Sequence, residues 1–363
     1  MIESDSTRSL ARILIVDDSA FMRTALARMI KSEAGFEVVG TACTGADALE
    51  KIAALDPDVV TLDLQMPGMD GLEALRHIMT DFPRPVIMVS AATEKDAEIT
   101  FNALSAGAFD CVPKQMSSSS LEIAHIRSDL ISKIHAACQA RHPGLPHSLC
   151  RKPPQPAYQR GADFRRVNPA IVAIGTSTGG PRALEQILPR LPGDFPIPIM
   201  IVQHMPASFL ASFAQRLQSL CAIEVHEARD KEIIRPATVY VSPAGLHTRV
   251  QRGTPGSQVF ISLDRNPADA LHIPSADVLM ESLAKLYGNR AMGVILTGMG
   301  CDGSQGMKAI HHAGGLTIGQ DEATCTVYGM PRACAELGVL IRVVPLSEIP
   351  GELLQAVRRS MHA

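Results

Sequence analysis

The chain has 363 residues, 46% of them apolar, and a formal net charge of −3. That length favours two domains, the apolar share supplies both cores, and the near-balanced charge argues against non-specific nucleic-acid binding. Aromatic residues are only 4% and tryptophan is absent, so the cores are expected to be built from Ile, Val, Leu, Met and Ala. The polar start "MIESDSTRSL" is too short for a signal peptide, and no apolar run approaches the ~20 residues that span a bilayer. A soluble, cytoplasmic protein is expected. Cysteines 43, 111, 138, 150, 221, 301, 325 and 334 form no C-x-x-C pair, so zinc spacing is missing and reduced thiols are expected.

Residues 1–11 read as a tail. Five apolar runs then recur at steady spacing to residue 137: "ARILIVDD", "FEVVGTA", "PDVVTLDL", "RPVIMVSA" and "AFDCVPK". Amphipathic stretches separate them; Met22, Leu26, Met29 and Ile30 share one helical face. Continuous apolar strands alternating with helices indicate a parallel sheet covered on both sides, with working groups beyond the carboxyl ends of its strands. There Asp17 and Asp18 follow the first strand and Asp63 closes the third, while Ser90 closes the fourth and Lys114 the fifth. Each alone reads as a cap, a turn former or a solvated charge. Together, three mutually repelling carboxylates suit Mg²⁺, and a hydroxyl and an ammonium beside them make a site for a phosphoryl group on Asp63.

Residues 12 to about 135 resemble the receiver domain of two-component response regulators, through "LIVDDSAFMR", "TLDLQMPGMDG", "VSA" and "GAFDCVPK". The resemblance implies a flavodoxin-like five-stranded parallel sheet of order 2-1-3-4-5. It also implies phosphorylation of Asp63 by a histidine kinase, with Mg²⁺ held by Asp17, Asp18 and Asp63 and the phosphoryl group contacted by Ser90 and Lys114. Two positions depart from the usual pattern: Cys111 stands where an aromatic is common and Gln115 where proline is common. These put in question the aromatic part of the usual switch and the cis geometry after the lysine.

Residues 138–167 are rich in proline and basic side chains, have no periodicity, and read as a semi-extended linker. From 168 to 358 strand–helix alternation resumes. "AIVAIGTS", "IPIMIVQHM", "ATVYVSP", "SQVFISL", "AMGVILTGMG" and "LTIGQD" read as strands. "GGPRALEQILPRL", "SFLASFAQRLQSL", "SADVLMESLAKLYG", "SQGMKAIHHAG" and "MPRACAELG" read as helices. A second α/β domain, mainly parallel, is expected, with "ATVYVSP" and "SQVFISL" as an antiparallel edge hairpin.

Ser177 lies in "GTSTG", a G-x-S-x-G corner between strand and helix. This suits a nucleophile, a phosphate cradle or a simple helix cap. His204 follows the next strand as a candidate base, and Asp302 follows a later one as a candidate orienting acid. Serine, histidine and aspartate at three strand ends of one parallel sheet point to acyl transfer. Two rival readings remain. Gly298, Gly300 and Gly303 spell G-x-G-x-x-G with Asp321 and Glu322 downstream, a dinucleotide fingerprint and hence a nucleotide-binding output module. A DNA-binding output would need a helix-turn-helix and a basic stripe, and neither is visible.

The strings "AIGTSTGGP", "VQHMP", "DVLMESLA", "GVILTGMGCDG" and "YGMPRA" make residues 168–358 similar to the catalytic domain of chemotaxis protein-glutamate methylesterases, the CheB family. The resemblance implies a phosphorylation-activated hydrolase of glutamate γ-methyl esters on methyl-accepting chemoreceptors, which also deamidates receptor glutamines. It carries over Ser177 as nucleophile, His204 as base, Asp302 as orienting acid and the Met299 amide as oxyanion donor. Cys301 stands where the family often has Asn. No cofactor is expected for hydrolysis. The implied partners are chemoreceptors and a chemotaxis kinase, with only peripheral contact to membrane receptor arrays and none with nucleic acid. The unphosphorylated receiver is expected to block the catalytic face.

Overall fold

The computed structural model describes residues 10–91, 94–114, 120–139, 168–254 and 258–358. The chain divides into two compact units between Pro146 and His147. The expected linker lies outside the described residues, except that Cys138 and Gln139 end a helix. Gln115 and residues 1–9 of the expected tail also lie outside them.

In the first unit β1 (Ala11–Val16), α1 (Ala20–Lys31), β2 (Phe36–Ala42), α2 (Gly45–Leu55), β3 (Val59–Asp63) and α3 (Gly71–Asp81) come first. They are followed by β4 (Val86–Ser90), α4 (Glu94–Ser105), β5 (Asp110–Pro113) and α5 (Ser120–Gln139). The five strands are parallel in the order β2-β1-β3-β4-β5, as expected. β3 and β4 are buried along their whole length, which is why they read as unbroken apolar runs. Leu26 and Ile30 carry the buried face of α1, with Met22 and Met29 half-buried beside them. Ser19, Thr44 and Asp70 cap the first three helices, accepting from the amides of Met22, Asp47 and Glu73.

One buried charge pins the last helix. Lys133 of α5 is 8% exposed and donates to the Cys111 carbonyl at 2.6 Å and to Asp129 at 2.9 Å, with Asp110 at 3.6 Å. Burial opposes its ammonium, but Asp110 and Asp129 more than compensate and hold its pKa above the ordinary lysine value.

The second unit contains β6 (Ile171–Thr176), α6 (Gly180–Ile187), β7 (Ile199–Gln203), α7 (Ala207–Leu220), β8 (Glu224–Glu227), β9 (Thr238–Val241), β10 (His247–Arg252) and β11 (Val259–Asp264). Then come α8 (Ala276–Tyr287), β12 (Ala291–Ile295), α9 (Ser304–His312), β13 (Leu316–Gln320), α10 (Met330–Glu336), β14 (Arg342–Val344) and α11 (Ile349–Arg358). Seven strands form a parallel sheet of order β14-β13-β12-β6-β7-β9-β8. Successive strands build outward from β6 on one side through β7, and on the other through β12. The direction of winding therefore reverses at β6, and the crevice at such a reversal is where α/β sheets place their sites. Helix α8 packs Leu279, Met280 and Leu283 into the core, together with Met307 and Ile310 of α9 and strand residues such as Ile171, Ala173 and Ile295.

The antiparallel hairpin differs from expectation. "ATVYVSP" supplies β9, a parallel strand inside the main sheet, and "SQVFISL" supplies β11, whose antiparallel partner is β10. The β10 segment "HTRVQR" has Val250 as its one apolar residue among polar and charged ones, so its pattern does not announce a strand.

Replacing Lys133 by Met strands two carboxylates. Lys133→Met is expected to lower receiver stability by about 2 kcal/mol, read from the first transition in urea unfolding of the full chain.

Candidate active site

At the carboxyl edge of the first sheet, Asp17, Asp18 and Asp63 offer oxygens that lie within 4.8 Å of one another. Asp17 and Asp63 are buried and Asp18 is exposed. Lys114 reaches in from the end of β5, 2.6 Å from Asp63 Oδ2 and 2.9 Å from Asp17 Oδ2. Burial pushes the Asp63 carboxyl up from its ordinary value; Lys114 opposes that shift and Asp17 adds to it. Burial disfavours the Lys114 ammonium, but its bonds to Asp63 and Asp17 leave its pKa raised. Three carboxylates against one ammonium fit a hard divalent cation such as Mg²⁺. Ser90 is buried at the end of β4 and receives a hydrogen bond from Thr100 of α4 at 3.2 Å. Gln65, two residues past Asp63, donates to Asp96 of α4 at 2.6 Å. The structure thus brings Asp17, Asp18, Asp63 and Lys114 together and ties Ser90 and the loop after Asp63 to α4. Cys111 is buried, and burial pushes its thiol up to about 12.

The raised Asp63 pKa has a definite sign. The folded state binds this proton more tightly than the unfolded one, so stability falls as pH rises from the unfolded carboxylate range through the raised folded pKa. Asp63→Asn is expected to raise the receiver's melting temperature by about 2–5 °C in metal-free buffer. Millimolar Mg²⁺ should raise the wild-type melting temperature more than the variant's. Calorimetry with and without Mg²⁺ checks both.

In the second unit, β6, β7 and β12 present Ser177, His204 and Asp302. Register pairs Gly175 with Val202 and Thr176 with Gln203, so Ser177 and His204 are the next residues out on adjacent strands. The His204 amide donates to the Thr176 carbonyl at 3.0 Å, and the Ser177 amide to the Thr297 carbonyl at 3.1 Å. Gln203 is buried between them and donates its side-chain amide to the carbonyls of both Ser177 and His204, at 2.9 and 2.8 Å. Of the glycines flanking the serine, Gly179 takes a left-handed φ of 79°. Gly175 serves a different end: a Cβ there would stand 3.0 Å from the Ala276 Cβ, so it admits the start of α8 against the strand end.

Asp302 lies in the turn before α9, with its side chain 8% exposed. It accepts from His204 Nε2 at 2.8 Å, the Ser275 hydroxyl at 2.7 Å and the Ala276 and Asp277 amides at 2.7 and 3.1 Å. Burial opposes the charge, but the bond to His204, its charge, and the donors at the start of α8 hold the carboxyl well below the usual carboxylate range. Asp302 therefore stays ionised and fixes the imidazole. Because Nε2 faces the carboxylate, the other ring nitrogen, Nδ1, is the one left for a partner; it is buried and bonded to no described residue. Ser177 and His204 are brought to neighbouring strand ends without a recorded bond between Oγ and the ring. An alcohol, a fixed imidazole and a charged carboxylate at one rim can perform acyl transfer.

Comparison with known proteins agrees with this geometry. The CheB methylesterase family matches residues 172–353, and the response regulator receiver domain matches residues 13–125. A protein-glutamate methylesterase/protein-glutamine glutaminase of Oleidesulfovibrio alaskensis is 44% identical over 96% of this chain and 100% of its own length. This chain belongs to the CheB methylesterase family. A relative of the same description from Symbiobacterium thermophilum is 44% identical over 98% of this chain and 99% of its own. The crystal structure of the Thermotoga maritima CheB methylesterase catalytic domain aligns with a TM-score of 0.50 at 40% identity, covering 52% of this chain and 99% of that one.

Within this family member the rival glycine fingerprint has a structural explanation. Gly300 and Gly303 take left-handed φ values of 82° and 92°, shaping the turn that delivers Asp302. Asp321 caps a local turn, accepting from the Thr324 amide and hydroxyl. Met299 lies in the same turn, half-buried, and its amide has no acceptor among the described residues. Cys301 is exposed beside Asp302.

Sequence reasoning missed His272. Its ring stacks on His204 with centroids 4.2 Å apart and planes 17° apart. Burial, then the neighbouring His204, pushes its pKa down to about 4, with Asp302 opposing. It sits on a strap between β11 and α8 that one buried imidazole clips at both ends. His247, fully buried on β10, meets the Pro267 carbonyl through Nε2 at 3.0 Å and accepts the Ser275 amide through Nδ1 at 3.2 Å. A histidine in "LHIPSADVL" offered no periodic or strand-end signal. Among the described residues no helix is long and apolar enough to cross a membrane.

Proposed function

We propose that this family member hydrolyses glutamate γ-methyl esters on methyl-accepting chemoreceptor proteins and deamidates receptor glutamines. Ser177, His204 and Asp302 act as a triad, under control of a receiver phosphorylated on Asp63. The single observation that carries the catalytic part is the 2.8 Å contact between His204 Nε2, just past the strand beside that of Ser177, and Asp302 in the turn before α9. The glutamyl substrate rests on the protein-glutamate methylesterase/protein-glutamine glutaminase relatives that align along nearly their whole length.

His204 Nδ1 takes the Ser177 proton as Oγ attacks the γ-carbonyl carbon. Asp302 stays ionised and stabilises the imidazolium that forms. The tetrahedral oxyanion is met by the Met299 amide, whose lack of another acceptor suits that task. Collapse breaks the bond to the methoxy group, which takes the proton from His204 and leaves as methanol; from a glutamine the leaving group is ammonia. Water, deprotonated by His204, then attacks the acyl-serine and releases glutamate with Ser177 restored.

In the receiver, Asp63 is the phosphoryl acceptor and a chemotaxis histidine kinase the donor. Mg²⁺, when bound by Asp17, Asp18 and Asp63, neutralises charge on the phosphoryl oxygens. Lys114 contacts the same oxygens, and Ser90 turns its hydroxyl toward them. Because Ser90 already bonds to Thr100, such a turn is felt in α4. Coupling to the esterase on the order of 1–3 kcal/mol is enough for control. The chain works in the cytoplasm, reaching membrane receptor arrays only through its substrate.

Methanol release from methylated receptor membranes, with and without a small phosphodonor, tests both halves. Ser177→Ala should lose at least about 10³-fold of the activity while receiver phosphorylation persists. Retained release would reject the nucleophile. Asp63→Asn should keep basal hydrolysis and lose stimulation; equal stimulation of variant and wild type would reject the switch.

A further inference from the structure

Helices α8 and α9 start side by side, and each start is served by an acid from the other's neighbourhood. Asp302, just before α9, takes the amides of Ala276 and Asp277 in the first turn of α8. Asp277, in that same turn, takes the Gly306 amide of α9 at 2.7 Å and is also bonded by the Gln305 amide. Helix α9 needs this help, because its own cap residue is Gly303, which has no side chain to offer. The two backbones touch: a Cβ on Gly306 would stand 2.5 Å from the Met280 Cβ and 3.1 Å from the Asp277 Cα.

We propose that Asp277 is a positioning residue for the Asp302–His204 pair. Its carboxylate caps the helix that follows Asp302, while Asp302 caps the helix that carries Asp277, so each acid holds the other in place. Asp277 also adds a second negative charge beside Asp302, on the side away from the imidazole. This inference rests on the triad reading above.

Two acids this close repel, and the helix starts are what make the arrangement tolerable. Each points several amide N–H groups at the carboxylate from the neighbouring helix. The charged groups facing Asp277 are Asp302 and, on its own helix, Glu281; from α10 it faces the buried Cys334 thiol. His204 lies beyond Asp302. Burial pushes the Asp277 carboxyl up to about 6; the Gly306 amide opposes that shift, and Asp302 and Glu281 add to it. Asp277 thus holds its proton well above the ordinary carboxylate range, and its charge bears on Asp302.

The test is a histidine Cε1 NMR titration of the full chain, with His204 assigned by loss of its signal in His204→Gln, beside the pH profile of methanol release. In Asp277→Asn the amide oxygen still accepts from Gly306, so the melting temperature should stay near wild type. The lost charge should move the His204 midpoint, and with it the acid limb of activity, about half a pH unit lower. Asp277→Ala should show the same shift and a lower melting temperature as well. In the wild type the His204 curve should depart further from single-group shape than in Asp277→Asn, where the stacked His272 is the titrating neighbour that remains beside Asp302. A folded Asp277→Asn with an unmoved His204 midpoint overturns the proposal, as does a single-group wild-type curve if that variant fails to fold. Full activity in His204→Gln would instead overturn the triad, and the midpoint shift would still report on Asp277.

Discussion

A carboxylate with less than a tenth of its surface in water carries the catalytic unit. Left bare, a charge buried like that of Asp302 costs several kcal/mol. Here an imidazole, a hydroxyl and two backbone amides meet it, drawn from β7 and the start of α8. Those partners are more than compensation. They fix which nitrogen of His204 faces inward, seat α8 against the end of β6, and set where the strap bearing His272 begins. Had the sheet not reversed its winding at β6, these contributors would have lain on separate edges.

The two units use the carboxyl edge of a parallel sheet in opposite ways. In the esterase unit negative charge is settled within the chain, by helix starts and a histidine. In the receiver three acids crowd together, two of them share one lysine, and Asp63 is left with a raised pKa. The first arrangement is balanced within the chain as folded; the second is a crowding of charge left open to what binds there. That difference in electrostatic closure separates a catalyst from a sensor more clearly than fold does, since both sheets follow the same grammar.

Much of this was legible in the primary structure because parallel strands are buried on both faces and so read as unbroken apolar runs. β1, β3, β4, β6, β7 and β12 announced themselves, and with them Asp63 at a strand end, Asp17, Ser177 and His204 one step beyond, and Asp302 in the loop that follows β12. β8 with its sequence "EVHE", the three-residue β14 and the charged β10 did not, because edges and short hairpins need no continuous apolar face. The mistaken hairpin partner followed from that: once β10 was overlooked, β11 could pair only with β9. His272, Gln203 and Asp277 escaped for another reason. Their roles exist only where elements far apart in the chain meet, and an aspartate at a helix start reads the same whether it caps its own helix or its neighbour's. Lys133 likewise looks like any solvated helical lysine until α5 is laid on β5.

His247 joins what the chain keeps far apart. A single ring clips both ends of the strap that stacks on His204, meeting Pro267 through one nitrogen and accepting from Ser275 at the other, so the strap and β10 behave as one joint. Exchange of this strap between homologous esterases is therefore not a loop swap: residue 247, twenty positions upstream, has to travel with it, and a chimaera that leaves it behind inherits a hinge without its pin.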